Sequence, residues 1–324
     1  MTVSALSRTI ESQADLLEPV LDLDLTQAVE RLREAQQIWL VGTGTSQHAA
    51  ELGARMFEAA RRNARWSSAA GFARFGANLA QTDAVIVISH TAETAFARSA
   101  RDRAGAAGAS LVSITGFDSG WREAIETVPR ESSETYTVSY TATLLVLARL
   151  SAALGAEAIT ADGLKAIPRR VRDAVRSSET EEIDIPDRLL VFAGVGPYAV
   201  TAREGALKVR EATAIVSEGF EAEYLLHGSA VPLGRGDSLV LVQPDADPDG
   251  LSSAIGDAAR SEGVAVTSIA EPGGLGPLLA QIPLTVRLQV LASRFAQERG
   301  TNPDEVIVGA WGADELWKRG GPAV

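Results

Sequence analysis

The chain has 324 residues, 46% hydrophobic and 22% charged, with mean hydropathy near zero at +0.05, enough apolar material for two cores of ordinary domain size. A formal net charge of −12 and a pI near 4.9 argue against a nucleic-acid partner, which rewards a basic surface, yet leave room for a small anion held by helix N-termini and hydroxyls. Cysteine is absent, which excludes disulfides, thiolate metal ligands and any cysteine nucleophile, including a cysteine-dependent glutamine-hydrolysing half within this chain.

The N-terminus, Met1 to Ile10, lacks the basic start and apolar stretch of a secretory signal, and no apolar run approaches the ~20 residues that span a bilayer. The expected location is therefore the cytoplasm. Leu6, Ile10, Leu16, Leu17, Val20 and Leu21 recur at partly helical spacing and predict a helical arm over 4–21. A short helix over 26–35 precedes the first strand. Strand and helix patterns then alternate: helix 46–61, strand 66–69, strand 84–89, helix 94–107, strand 110–115. That alternation predicts a parallel sheet with helices on both faces. The alanine- and leucine-rich stretch 137–154 predicts a long closing helix, 161–178 another, and acidic 179–187 with Pro186 a joint. The end of the chain, 301–324, carries Asn302-Pro303-Asp304 and Gly320-Gly321-Pro322, a composition suited to a loop or flexible end.

The pattern also repeats. Ile38-Trp39-Leu40-Val41-Gly42-Thr43-Gly44 is echoed by Leu189-Leu190-Val191-Phe192-Ala193-Gly194-Val195-Gly196, strand 84–89 by 238–243, and strand 111–115 by 266–270. Three matched strands at nearly constant offset predict two related α/β domains.

Four groups of residues could carry chemistry. Gly42-Thr43-Gly44-Thr45-Ser46 stands between a strand and a helix, where Thr45 and Ser46 could donate to an anion or simply cap the helix. Ser89-His90-Thr91-Ala92-Glu93-Thr94 follows a very apolar strand and concentrates three hydroxyls and a histidine where open parallel sheets bind ligands, against the alternative of a helix capped by Thr91. Glu204, Lys208 and Glu211 share one helix face by their spacing and could equally form an exposed ion-pair ladder. Lysine is confined to Lys165, Lys208 and Lys318 among 30 basic residues, so Lys208 stands out mildly against that bias. His227 precedes Gly228 and Ser229, small residues that would leave its ring accessible for acid/base work, and a packed histidine is the alternative. Isolated histidines without a carboxylate pattern of ligand spacing imply no metal site.

Together these segments resemble the double SIS-domain phosphosugar isomerases, closest to the isomerase half of glucosamine-6-phosphate synthase and its stand-alone deaminase and deglycase relatives. The resemblance runs from Thr9-Ile10-Glu11-Ser12-Gln13 through the two hydroxyl loops and Glu134 to Glu204-Gly205-Ala206-Leu207-Lys208-Val209-Arg210-Glu211 and His227-Gly228. It implies an α/β fold of two tandem SIS domains, each flavodoxin-like with a parallel sheet. The expected organisation is a helical arm at 1–36, a first SIS domain at 37–158, a helical linker at 159–186, a second SIS domain at 187–300 and a tail at 301–324.

The resemblance further implies that Ser46, Ser89, His90, Thr91 and Thr94 cradle a phosphate and that Thr45 and Glu134 lie at the sugar. Glu211 would shuttle a proton between C1 and C2 of the open-chain sugar, Lys208 would place a cation beside the enediolate, and His227 would open the ring from a neighbouring subunit. A homodimer with a shared site and no cofactor follow from the same likeness. Departures from the pattern are His90 for glutamine, Thr91 for serine, Ala92 for glycine, Thr141 in a segment that usually carries lysine, Ser229 for proline, and Lys318 too far along to match the tail lysine. The expected function is isomerisation of an amino-sugar 6-phosphate by enediol or enediolamine proton transfer, with ammonia release left open. The alternatives are a fructosamine 6-phosphate deglycase and a sugar-phosphate sensor without turnover.

Overall fold

Strands as apolar as Asp83–Ile88 and Leu190–Gly194 require cover on both faces, which a parallel sheet between helices supplies. The computed structural model, which describes residues 3–76, 78–244, 246–247 and 249–320, has that architecture twice. It opens with α1 (Ala5–Leu17), a 3-10 turn (Pro19–Asp22) and α2 (Thr26–Arg33). The first sheet is built by β1 (Gln37–Gly42), α3 (Thr45–Ala59), β2 (Ala64–Ser68), α4 (Ala69–Phe75), β3 (Asp83–Ile88), α5 (Ala95–Ala106), β4 (Ser110–Thr115) and β5 (Ala124–Glu126). Helices α6 (Val138–Ala153) and α7 (Ala161–Arg176) follow. The second sheet is built by β6 (Leu190–Gly194), α8 (Pro197–Thr213), β7 (Ser217–Glu221), α9 (Ala222–Tyr224), β8 (Ser238–Gln243), α10 (Leu251–Ser261) and β9 (Ala265–Ala270). The chain ends with α11 (Gly276–Leu279), α12 (Gln281–Arg299), a 3-10 turn (Gly309–Gly312) and α13 (Asp314–Trp317).

All strand pairs are parallel, in the order β2-β1-β3-β4-β5 in one sheet and β7-β6-β8-β9 in the other. The first order is that of flavodoxin-like sheets, and the second reproduces its first four places. The predicted repeat thus reappears as one topology used twice.

The chain divides into two units. One comprises residues 15–131, 138–166 and 307–324 and holds the first sheet; the other comprises residues 1–14, 132–137 and 167–306 and holds the second. In the first-sheet unit, Val41, Val85 and Val87 pack against Phe72 of α4 and Ala97, Ala100 and Ala104 of α5. On α3, Gly53 lets Leu40 and Leu147 of α6 pack closely: a Cβ there would stand 2.6 Å and 2.9 Å from their terminal methyls, which would have to shift. In the second-sheet unit, Val191, Ala193, Leu239 and Leu241 form a core with Ala222, Leu225 and Ile255.

Local departures from the expected elements have clear causes. The predicted strand 66–69 is Ala64–Ser68, because Ser68 accepts the Gly71 N–H at 3.1 Å and so starts α4 at Ala69, a helix the sequence pattern did not reveal. The expected loop at the end of the chain includes a 3-10 turn and α13, while the part of that expectation resting on Gly321-Pro322 lies outside the described residues. Among the described residues no helix is long and apolar enough to cross a membrane.

Candidate functional site

Both Gly-x-Gly turns take the same shape at the carboxyl end of the first strand of their sheet. Gly44 has φ 57 and ψ −128, and Gly196 has φ 61 and ψ −119, a region that only glycine occupies readily. The preceding glycine lets the helix begin against the strand: a Cβ on Gly42 would lie 2.3 Å from the Ser46 carbonyl oxygen, and one on Gly194 would lie 2.6 Å from the backbone of Tyr198. Gly44 and Gly196 are the N-cap residues, so Thr45 is the first residue of α3 rather than its cap.

The two turns differ in what faces them. In the register of the sheets Gly42 pairs with Ser68 and Gly194 with Glu221. Oε1 of Glu221 accepts the Gly196 N–H at 2.9 Å, so the second turn already holds an anion of the protein's own. At the matching position of the first-sheet unit Ser68 is neutral and engaged with Gly71.

The second hydroxyl loop leaves β3, next to β1 in the same sheet. Ser89 is only 4% exposed, and its Oγ has no hydrogen-bond partner among the described residues. A buried hydroxyl without a partner is costly by about 1–3 kcal/mol and marks a place where a ligand or ordered water belongs. Thr91 does not cap α5; its Oγ1 accepts the Glu93 N–H at 3.2 Å, and the N-cap is Thr94, whose side chain makes no capping bond. Between them Ala92 sits at φ 58 in the left-handed region, buried. Thr45, Ser46, Thr91 and Thr94 are all half-buried. His90 accepts the Glu131 N–H at Nε2 over 3.2 Å. Burial pushes its imidazole below the ordinary histidine range; Glu131 opposes that shift and Arg130 adds to it.

In the second-sheet unit α8 carries Glu204, Lys208 and Glu211. The exposed ladder is overturned: Glu204 and Lys208 are 0% and 1% exposed. The Lys208 Nζ lies 2.5 Å from Glu211 Oε2 and 3.6 Å from Glu204 Oε1. Burial follows from packing, because α8 lies between its sheet and α12, where a Cβ on Gly205 would stand 2.4 Å from Leu288. Glu211 retains 23% of its side-chain surface, so one carboxylate of the trio reaches solvent.

His227 and Glu134 lie apart from that trio in the chain and in local setting. His227 sits in a single π turn, Leu225–Ser229, with its side chain 72% exposed and Nε2 3.7 Å from Glu223 Oε1. Tyr224, Leu226 and Val231 around it are also exposed, at 58%, 61% and 84%. Glu134 accepts the Val306 N–H at 2.6 Å, fastening the end of the second-sheet unit. Lys318 is exposed and paired with Asp314 at 3.0 Å. Glu221, Arg130 and Glu131 carry no local signal in the sequence, because their contacts depend on the sheet register and on a loop 40 residues downstream of His90. Among the described residues no group of three or more His, Asp or Glu side chains is placed to hold a metal ion.

Residues 31–153 match the family model of the SIS domain. The chain is 29% identical over 306 residues to glutamine-fructose-6-phosphate aminotransferase (isomerizing) of Methanothermobacter thermautotrophicus, covering 86% of this chain and 51% of that protein. It is 25% identical to the enzyme of the same name from Pseudomonas aeruginosa, covering 93% and 55%. The chain thus spans about half the length of the curated relatives it matches. Among solved structures, the C-terminal domain of glucosamine-fructose-6-phosphate aminotransferase from Francisella tularensis superposes with a TM-score of 0.80 at 21% identity, covering 94% of this chain and 98% of that one. Glucosamine-6-phosphate deaminase from Thermotoga maritima gives 0.75 at 20% identity, covering 93% and 97%. Tagatose-6-phosphate ketose/aldose isomerase from Escherichia coli gives 0.80 at 18%, covering 95% and 97%. At these identities the structural likeness establishes the fold: α/β, with parallel sheets flanked by helices.

Proposed function

We propose that the chain is a phosphosugar isomerase acting on an amino-sugar 6-phosphate by proton transfer through an enediol or enediolamine. The observation that carries the reading is the α8 trio: a lysine 1% exposed, set between two carboxylates, one of which reaches solvent. Moving a proton between adjacent carbons beside a carbonyl needs one base able to reach both carbons and a cation near the oxygens that gain charge. Glu211 is the base and Lys208 the cation, with Glu204 holding the ammonium from its buried side.

The phosphate reading rests on the first-sheet unit. Ser46, Ser89, Thr91 and Thr94 offer hydroxyl donors, and the first Gly-x-Gly turn lacks the carboxylate that occupies the second. Binding a phosphate remote from the reacting carbons fixes the open chain, so phosphate contacts appear in the transition state as positioning energy. Thr45 and Glu134 are assigned to the sugar, the latter through its family correspondence. His227 is assigned to ring opening for a second copy of the chain: an exposed imidazole on a segment that also exposes Tyr224, Leu226 and Val231 suits a homodimer face better than open water. The relatives' names support the substrate class: an isomerizing aminotransferase for fructose 6-phosphate and, among neighbours of the same fold, a glucosamine-6-phosphate deaminase.

The test is turnover of glucosamine 6-phosphate with an ammonium assay alongside. Fructose 6-phosphate with ammonium identifies a deaminating isomerase, and proton exchange without ammonium identifies isomerisation alone. Binding without either reaction in this sugar or a fructosamine 6-phosphate contradicts the proposal in favour of a sensor.

A further inference from the structure

The loop Ser89–Thr94 is held from behind by groups that no assigned role uses. Its backbone is fixed by the Ser89 N–H to the Ile114 carbonyl at 3.1 Å and by the Gly116 N–H to the His90 carbonyl at 2.8 Å. Its side chains are held by the segment before α6. Arg130 makes a two-pronged contact with Glu93 at 3.0 and 2.7 Å, and the Glu131 N–H donates to His90 Nε2 at 3.2 Å. Glu131 is itself fixed, its Oε1 accepting the Ser139 N–H at 2.9 Å in the first turn of α6. The ring fits only because residue 116 is glycine: a Cβ there would be 2.6 Å from Cε1 and 2.8 Å from Nδ1.

A ring nitrogen that accepts a backbone N–H carries no proton, so the observed contact exists only for the neutral imidazole with its hydrogen on Nδ1. We infer that His90 is a positioning residue: its neutral ring, accepting the Glu131 N–H, sets the shape in which the Ser89–Thr94 loop receives a phosphate, and protonation of the ring releases that shape. This inference rests on the phosphate-binding reading of the loop. Exposed Arg130–Glu93 pairing contributes little by itself in water, and the His90 contact is the more sheltered of the two. The charged groups acting on the ring are Glu131, which favours protonation, and Arg130, which opposes it, while Glu93 on the same loop is taken up by Arg130. Burial decides in favour of the neutral form, so the loop keeps its shape through the neutral range and loses it only in acid.

The experiment measures fructose 6-phosphate affinity of the full chain as a function of pH for wild type, His90→Gln and His90→Leu, with the His90 titration midpoint read by imidazole NMR of histidine-labelled protein. Glutamine keeps an acceptor that does not titrate; leucine keeps bulk without an acceptor. At about pH 7.5, His90→Leu is expected to weaken binding about tenfold, the value of one buried hydrogen bond, while His90→Gln recovers most of that loss. Because the sugar phosphate itself titrates near pH 6, the decisive quantity is the ratio of wild-type to His90→Gln affinity. That ratio should fall at least about fivefold within one pH unit below the His90 midpoint. A flat ratio across the midpoint, or His90→Leu binding as tightly as His90→Gln, overturns the inference while leaving phosphate binding intact. No binding by wild type at any pH overturns the phosphate reading and this inference with it.

Discussion

The ammonium of Lys208 lies 2.5 Å from the Glu211 carboxylate and is 1% exposed, so the cation is closed to water while its partner is not. Glu211→Gln keeps the size and the hydrogen-bonding ability of the side chain and removes only its basicity. Turnover should fall by about 10²–10⁴-fold, with sugar-phosphate affinity within about threefold of wild type. Steady-state kinetics and calorimetric binding on the same preparation check this; unchanged turnover removes Glu211 from the mechanism.

Lys208→Ala should be far more damaging to the fold. It takes away the ammonium 3.6 Å from the fully buried Glu204 and leaves a hole in its place, and removing one partner of a buried pair destabilises by about 3–5 kcal/mol. Urea unfolding of the variant should show that loss, and a change below about 1 kcal/mol would mean the trio is more solvated than its burial indicates.

Ser89→Ala separates binding from stability. The Oγ of Ser89 is buried with no partner among the described residues, so its removal should leave stability unchanged or raise it by about 1 kcal/mol while weakening fructose 6-phosphate binding. Loss of stability equal to the loss of binding would identify a structural hydroxyl instead. Thr91→Val should weaken binding more than folding for the related reason that Thr91 does not cap α5.

Ala92 adopts φ 58, which disfavours any residue with a Cβ by about 1–2 kcal/mol. Ala92→Gly should therefore stabilise the protein, by up to about 1 kcal/mol after the greater freedom of glycine in the unfolded chain is subtracted. Thermal unfolding measures the sign; destabilisation would mean that the buried methyl outweighs the backbone strain.

Folding should depend on acid through His90. Its imidazole is held below the ordinary value near 6.5, so above that value neither state carries the proton and nothing is lost. As pH falls below about 6.5 the unfolded chain takes the proton first, and stability declines until the folded ring titrates too. Urea midpoints across this range should fall for wild type more than for His90→Gln, and parallel curves would contradict the assignment.

Much of this was legible in the sequence because the repeat is carried by apolar runs ending in glycine, and the physics of parallel strands leaves those runs little choice. Strands β1, β3, β4, β6, β8 and β9 lie where the pattern placed them, give or take a residue. Helix α4 was hidden because it is seven residues long and starts from a serine cap inside what reads as strand. The face shared by Glu204, Lys208 and Glu211 followed from helical spacing, but not its burial, which comes from Gly205 letting Leu288 of α12 approach. Capping by Thr91 is the natural alternative to a ligand role because hydroxyls before helices usually cap them; here the left-handed Ala92 turns the chain once more before α5 begins. The Glu221 plug in the second Gly-x-Gly turn was invisible without the register that places it opposite Gly194.

The most direct measurement is proton NMR of glucosamine 6-phosphate in deuterated water with the purified protein. Proton transfer at this site gives time-dependent loss of the C2 proton signal, with the rate collapsing in Glu211→Gln. A C2 proton that persists while the sugar phosphate is demonstrably bound would contradict proton transfer as the work of this site.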